Sequence, residues 1–167
     1  MNTKQSYFLI VVSAVVCGMN ATQVSMSSLD KQLLQATKYQ ELDEVNKLIA
    51  AGASVNTKDD EGNTPLMIAS RHDFRPIAKA LIRAHADVNM QDKGGNTALM
   101  QATMFGYTGM NKLLLSAGAN MSIENREGKT AMYYAKNYPK LKKIFDEMVA
   151  AQKVVSREQT EKSAKNL

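Results

Sequence analysis

The chain has 167 residues, a formal net charge of +5 at pH 7 and a single cysteine. This length suits one domain, and a lone cysteine excludes both a disulfide framework and a zinc site built from cysteine pairs. The mild positive charge falls short of the broad basic face, usually with base-stacking aromatics, that nucleic-acid binding needs.

Residues 1–21 differ in composition from the remainder. Lys4 is their only charged residue, and an apolar run at 8–16 is followed by small or polar residues. A short basic start, an apolar centre of this length and a small-residue exit are typical of a secretory signal peptide. A membrane-spanning helix needs about 20 apolar residues, so this run is too short to span. We therefore predict a periplasmic or secreted protein; a buried N-terminal helix is the alternative.

The processing of this segment stays open. Cleavage after Gly18 or Ala21 fits the small-residue rule only approximately. The run Ala14-Val-Val-Cys17 is similar to a bacterial lipoprotein signal, but a valine directly before the cysteine fits that signal poorly. Simple cleavage is therefore favoured over a lipid anchor at Cys17.

The dominant feature beyond this segment is a pattern that recurs every 33 residues. Its columns are Thr64/Thr97/Thr130, Ala36/Ala69/Ala102/Ala135 and Gly62/Gly95/Gly128. A fixed period of this size indicates stacked units that bury their apolar faces against one another. Within each unit the glycine suits a tight turn, the threonine can cap a helix, and the small alanine lets two helices approach closely.

The ends of the second helices and the turns between the helices allow local predictions. Gly52 and Gly118 are expected to end the second helix of their units in a left-handed conformation. His85 stands at the same position, where a left-handed side chain costs about 1 kcal/mol relative to glycine. We interpret His85 as a tolerated exception rather than a ligand or pH sensor. Asp73 and Phe74 replace the usual residues between the helices and predict an irregular turn.

The copies, such as Asp59-Asp-Glu-Gly-Asn-Thr-Pro-Leu66 and Leu81-Ile-Arg-Ala-His-Ala-Asp-Val-Asn89, resemble the ankyrin repeat. That family begins its repeats D-x-x-G-x-T-P-L-H-x-A-A and ends them L-L-x-x-G-A-D-V-N. The resemblance covers about residues 30–148. It implies an all-α ankyrin-repeat solenoid of about three and a half helix-turn-helix repeats joined by β-hairpin loops. The family's histidine is replaced here, so the hydrogen bonds that it supplies between loops should be missing.

The resemblance also implies a domain organisation. We expect a signal peptide at 1–21, an ankyrin repeat domain at 29–148 and a polar C-terminal tail at 149–167. The repeats fall at about 29–58, 59–91, 92–124 and 125–148. The tail is interpreted as a solubilising extension rather than a partner-binding segment. A lysine cluster near the end of the array is interpreted as the polar cap of the last repeat; it consists of Lys129, Lys136, Lys140, Lys142 and Lys143.

Partners of ankyrin arrays usually meet the hairpin tips and the exposed end of the first helix. Carried over in register, these positions predict a partner-binding set of Lys58, Asp60, Glu61, Arg71, His72, Lys93, Met104, Phe105, Arg126 and Tyr138. One aligned column is aromatic throughout: Tyr39, His72, Phe105 and Tyr138. Such a column fits an interface, where aromatic residues and arginine supply much of the binding energy, and fits equally a packing device that stiffens the stack.

No catalytic arrangement stands out. His72 and His85 lie 13 residues apart without an H-E-x-x-H pattern, and there is no G-x-S-x-G. We predict no enzymatic activity, no cofactor and no metal site. The expected function is recognition of another protein by a monomer, through its concave face and hairpin tips, as an inhibitor or protective factor. The alternatives are a self-assembling envelope protein and, more distantly, an enzyme with an unrecognised site.

Overall fold

The computed structural model describes residues 21–150, with side chains from residue 28 onward. Eight helical segments follow one another in this range, and no strand occurs among the described residues. They are α1 (Ala21–Lys38), α2 (Leu42–Ala50), α3 (Pro65–Arg71), α4 (Arg75–Arg83), α5 (Ala98–Met104), α6 (Thr108–Ser116), α7 (Ala131–Ala135) and α8, which is helical from 139 to 150. The predicted all-helical stack of helix pairs is confirmed. The predicted signal peptide, Cys17 and the polar tail lie almost entirely outside the described residues.

The first helices of the units (α1, α3, α5 and α7) form one layer, and the second helices form another. Successive first helices pack against each other more extensively than successive second helices do. The alanine column explains this difference, since Ala69, Ala102 and Ala135 are each 0% exposed and a methyl group permits close helix approach. The first helices therefore lie on the inner side of the stack.

A single hydrophobic core runs along the stack between the two layers. Leu66 and Leu99 of first helices and Leu81 and Leu114 of second helices are almost completely buried in it. Burying a leucine side chain stabilises a fold by about 1.5–3 kcal/mol. Each unit supplies leucines that the neighbouring units cover, which is why one helix pair could not stand alone.

Threonine caps two of the three helices for which the sequence predicts it. Thr64 and Thr97 each accept a hydrogen bond at 3.3 Å from the backbone N–H three residues later. Thr130 directly precedes α7 but makes no such bond, so the prediction of a cap there is wrong. Thr64 and Thr97 are buried, whereas Thr130 at the end of the described stack is partly exposed. Its carbonyl instead accepts from the N–H of Tyr133 at 3.1 Å, which tightens the first turn.

The left-handed residues follow the repeat. Gly52 and Gly118 have φ values of 91° and 88°, and His85 has 61°, which confirms that His85 adopts the conformation of the glycine it replaces. The turn between the two helices is also left-handed, at Gln40, Asp73 and Gly106. The predicted irregular turn at Asp73 is therefore wrong, because aspartate tolerates this conformation better than most residues.

The loops between units are tight turns. Asp59 accepts hydrogen bonds through Oδ1 from the N–H groups of Glu61 and Asn63, and Gly62 takes a left-handed φ of 83°. The N–H of Asp59 bonds the carbonyl of Asn63 at 3.0 Å, which closes a hairpin. The predicted hairpins are thus present as turns, but they do not extend into β-strands within residues 21–150.

Neighbouring loops are joined through their backbones. The N–H of Lys93 donates to the carbonyl of Glu61, and the N–H of Arg126 donates to the carbonyl of Gly94, each at 3.0 Å. Each loop tip is therefore fixed relative to the next, and the tips form a continuous edge beside the first helices.

Candidate protein-interaction surface

The ten residues predicted to bind a partner lie either at loop tips or at the C-terminal ends of first helices. Seven are exposed: Lys58, Asp60, Glu61, His72, Lys93, Phe105 and Arg126. Three are half-buried: Arg71, Met104 and Tyr138. We call the tips at 58–63, 91–96 and 124–129, together with the helix ends at 38–39, 71–72, 104–105 and 137–138, the inner surface.

Three members of the aromatic column are exposed, and two of them, Tyr39 and Phe105, are large hydrophobic residues. Tyr39 is 62% exposed and Phe105 is 52% exposed, and with Tyr133 they are the exposed large hydrophobic residues of the described chain. Both follow the last residue of a first helix, so the repeat presents them in register along the inner surface. Exposed apolar residues in register, unlike scattered ones, are typical of recognition surfaces.

Aromatic residues of the turns between helices stack on the two middle residues of this column, His72 and Phe105. The His72 ring stacks on Phe74 with 5.4 Å between centroids, and the Phe105 ring stacks on Tyr107 at 5.8 Å. Contacts of this kind restrict the rotamers of Phe105 before any partner arrives. Less conformational entropy is then lost on binding, which favours affinity.

Tyr138 has a different role from the rest of its column. Its hydroxyl donates to the carbonyl of Met104 at 2.9 Å, and its ring lies against the backbone of Gly106. A Cβ placed on Gly106 would come within 2.5 Å of the ring. The interpretation of the column as a packing device therefore fits Tyr138, whereas Tyr39 and Phe105 are exposed, as an interface requires.

Arg71 connects two loops through neutral amides. Its Nε donates to Oε1 of Gln101 at 3.1 Å, and its Nη2 donates to Oδ1 of Asn63 at 3.0 Å. Gln101 in turn donates through Nε2 to Oδ2 of Asp92 at 3.1 Å. Met67 and Met100, which replace the family's histidine, are buried, and this network links the loops instead. The only sequence signal for it is the polar amide of Gln101 in the middle of a largely apolar helix.

Side chains spaced by the repeat period also bond from loop to loop. Nζ of Lys58 donates to the carbonyl of Gln91 at 2.8 Å, and Nε2 of Gln91 donates to that of Glu124 at 2.9 Å. Asn56 and Asn89 each accept, at 2.8 Å, from the backbone N–H 31 residues later. Lys58, predicted to bind a partner, is thus partly committed to the scaffold.

Lysines cover the end of the described stack. Nζ of Lys136 and Nζ of Lys129 lie 4.5 Å and 5.0 Å from the centre of the Tyr133 ring. Lys129 also pairs with Glu127 at 2.6 Å, and the hydrogen bond to that carboxylate raises the pKa of Lys129 above its usual value. The position of Tyr133 holds a buried methionine in the two preceding units, so this ring marks a face that no further unit covers within residues 21–150. The geometry fits the polar cap interpreted from the sequence.

The geometry agrees with a family match that covers most of the chain. A sequence profile described as ankyrin repeats, in three copies, matches residues 33–125 and again 76–153. The chain belongs to the ankyrin repeat family. Ankyrin repeats are in general protein–protein interaction modules, and ankyrin repeat proteins are typically non-enzymatic. A search among curated proteins finds no match.

None of the helices within residues 21–150 combines the length and the apolar character needed to cross a bilayer. Over the same residues, no three histidine, cysteine or acidic side chains come together in a group that could hold a metal ion.

Proposed function

We propose that this ankyrin repeat protein recognises another protein through its inner surface. The proposal rests on the environment of Phe105, which lies at the middle of the stack, is 52% exposed and stacks on the ring of Tyr107. Half-buried Met104 lies beside it on the same helix end. Exposed aromatic rings of restricted mobility are the residues that most often dominate binding energy in protein interfaces.

The proposed setting is outside the cytoplasm, in the periplasm or as a secreted protein. Its support is the sequence of residues 1–21, with Lys4 ahead of the apolar run at 8–16. There the protein would hold, inhibit or protect one protein partner. The intact mass of the protein isolated from its native cells tests this proposal. A mass that lacks residues 1–18 or 1–21 supports export, and a lipid mass on Cys17 supports anchoring. An unprocessed chain contradicts both.

The proposed state is a monomer. Support comes from the lysines around Tyr133, because stacking two such ends would bring their ammonium groups together. Light scattering on the purified protein tests this: a mass of one chain agrees, and a mass that grows with concentration favours the self-assembling alternative.

Affinity capture tests the binding function. The full chain, a Phe105→Ala variant and a Tyr133→Ala variant are immobilised and exposed to an extract of the native cells. Tyr133 is the matched control, because it is an exposed aromatic residue outside the inner surface. We expect wild type and Tyr133→Ala to retain the same protein and Phe105→Ala to lose it while still melting cooperatively. Equal recovery by all three forms would reject this surface.

A further inference from the structure

Acidic residues are absent from the parts of the first helices that lead to the inner surface. The four corresponding stretches at 32–39, 65–72, 98–105 and 131–138 contain no aspartate or glutamate, but they do contain cations at Lys38, Arg71 and Lys136. None of these three cations takes part in a salt bridge within the described residues. The exposed carboxylates of the inner surface stand instead on its loop tips, at 60–61, 124 and 127.

Arg71 is held in place by two side-chain hydrogen bonds. Its two hydrogen bonds go to the amides of Asn63 and Gln101, so three of its five N–H groups have no partner among the described residues. The acidic residues of the network are Asp59, Glu61 and Asp92. They accept from the amides of Asn63 or Gln101, and the two aspartates also accept from backbone N–H groups of their own turns, but none of the three accepts a hydrogen bond from Arg71. The guanidinium is thus positioned in advance, with donors left over for a carboxylate.

An apolar patch lies one unit away from this cation. Met104 and Phe105 occupy the positions of Arg71 and His72 in the following unit, and α3 packs directly on α5. Packed helices lie about 8–10 Å apart. An extended peptide in the polyproline II conformation advances about 3.1 Å per residue and turns every third side chain to the same side, so two side chains three residues apart would span that distance.

We propose that the partner presents an extended acidic segment, with a carboxylate about three residues from an aromatic or large aliphatic side chain. The carboxylate binds Arg71, and the apolar side chain packs on Met104 and Phe105. This inference rests on the proposed function and adds the chemistry of the partner to it.

Other occupants fit the charges less well. Residues 152–167 of this chain carry four basic and two acidic residues, so this tail lacks the excess of carboxylates that would favour binding to Arg71. A second copy of the chain has a net charge of +5 and would be repelled. A nucleic acid would bring a continuous line of phosphates past the acidic tips at 60–61, 124 and 127. A peptide with isolated carboxylates can avoid those tips.

A peptide-display selection on the full chain tests the proposal. Random peptides are selected on wild type, on Arg71→Gln and on Arg83→Gln, which removes the same charge from an exposed position on α4. We expect wild type and Arg83→Gln to enrich peptides that combine Asp or Glu with Phe, Tyr or Leu. Arg71→Gln should lose the acidic preference. For one selected peptide, Arg71→Gln should weaken binding about tenfold, and changing its Glu to Gln should remove the difference between wild type and variant.

Several results would overturn the proposal. Enriched peptides without excess acidic residues, or an equal loss in Arg71→Gln and Arg83→Gln, contradict it. So does tighter binding of duplex DNA or of anionic lipid vesicles, if Arg71→Gln abolishes that binding. Neutral peptides that still require Phe105 would refute the acidic partner and leave the proposed function intact. No enrichment, or binding indifferent to Phe105→Ala, counts against both.

Discussion

Replacing Gly106 by alanine tests the interpretation of Tyr138 as a packing residue. Gly106 has a φ of 73°, and a left-handed alanine costs about 1 kcal/mol relative to glycine. Its new Cβ would lie 2.5 Å from the Tyr138 ring, so the ring must move and release its hydrogen bond to the Met104 carbonyl. Losing that bond costs about 1 kcal/mol more, so the free energy of unfolding should fall by about 2 kcal/mol.

Gly118 is the matched control for this change. Its φ is 88°, but no atom lies within 4 Å of a Cβ built there, so Gly118→Ala should cost only the backbone term of about 1 kcal/mol. Urea unfolding followed by circular dichroism gives both values, provided that the m-values stay equal. In a Tyr138→Ala background the two alanines should cost the same. Equal costs in the wild-type background would refute the packing role of Tyr138.

Three further predictions concern caps, turns and the end of the stack. Thr64→Ala should lower the free energy of unfolding by about 1 kcal/mol, and Thr130→Ala should lower it by less than half of that. Of these two threonines, only Thr64 caps its helix. Equal losses in urea unfolding would contradict this prediction. His85→Gly should stabilise the fold by about 1 kcal/mol, since φ at 85 is 61°, and an unchanged or lower melting temperature would show that the imidazole makes an important contact. Tyr133→Met combined with Lys136→Thr copies two positions of the preceding unit and removes the nearer of the two lysines that cover this face, so light scattering should detect concentration-dependent association. Lys140→Thr, a control on α8, should not cause association.

The backbone of this fold was largely predictable, because its signals are local. Capping by Thr64, the left-handed Gly52 and the small Ala69 each depend on one residue and its immediate neighbours along the chain. The 33-residue period then states which units stack, so the helix pairs and their order follow without knowledge of any side-chain contact.

The failures arise where a contact depends on what covers a residue. Thr130 has the same local sequence role as Thr64 but lacks a covering unit in the described stack. Tyr138 aligns with exposed Phe105, yet its ring fills the space left by Gly106 in the preceding unit. The bond from Arg71 to Gln101 joins residues 30 apart, and neither belongs to a family motif. The alignment of the repeats gives the position of such residues in each unit. Only the three-dimensional packing shows whether a residue there is buried against a neighbouring unit or exposed to a partner.

Hydrogen–deuterium exchange with and without the captured partner tests the central claim most directly. We predict that binding slows exchange at the loop tips around 60–62 and 93–95 and at the first-helix ends around 71–72 and 104–105. The second helices α4 and α6 should exchange at the same rate in both states. Protection confined to those second helices would place the partner on the opposite layer and contradict recognition through the inner surface.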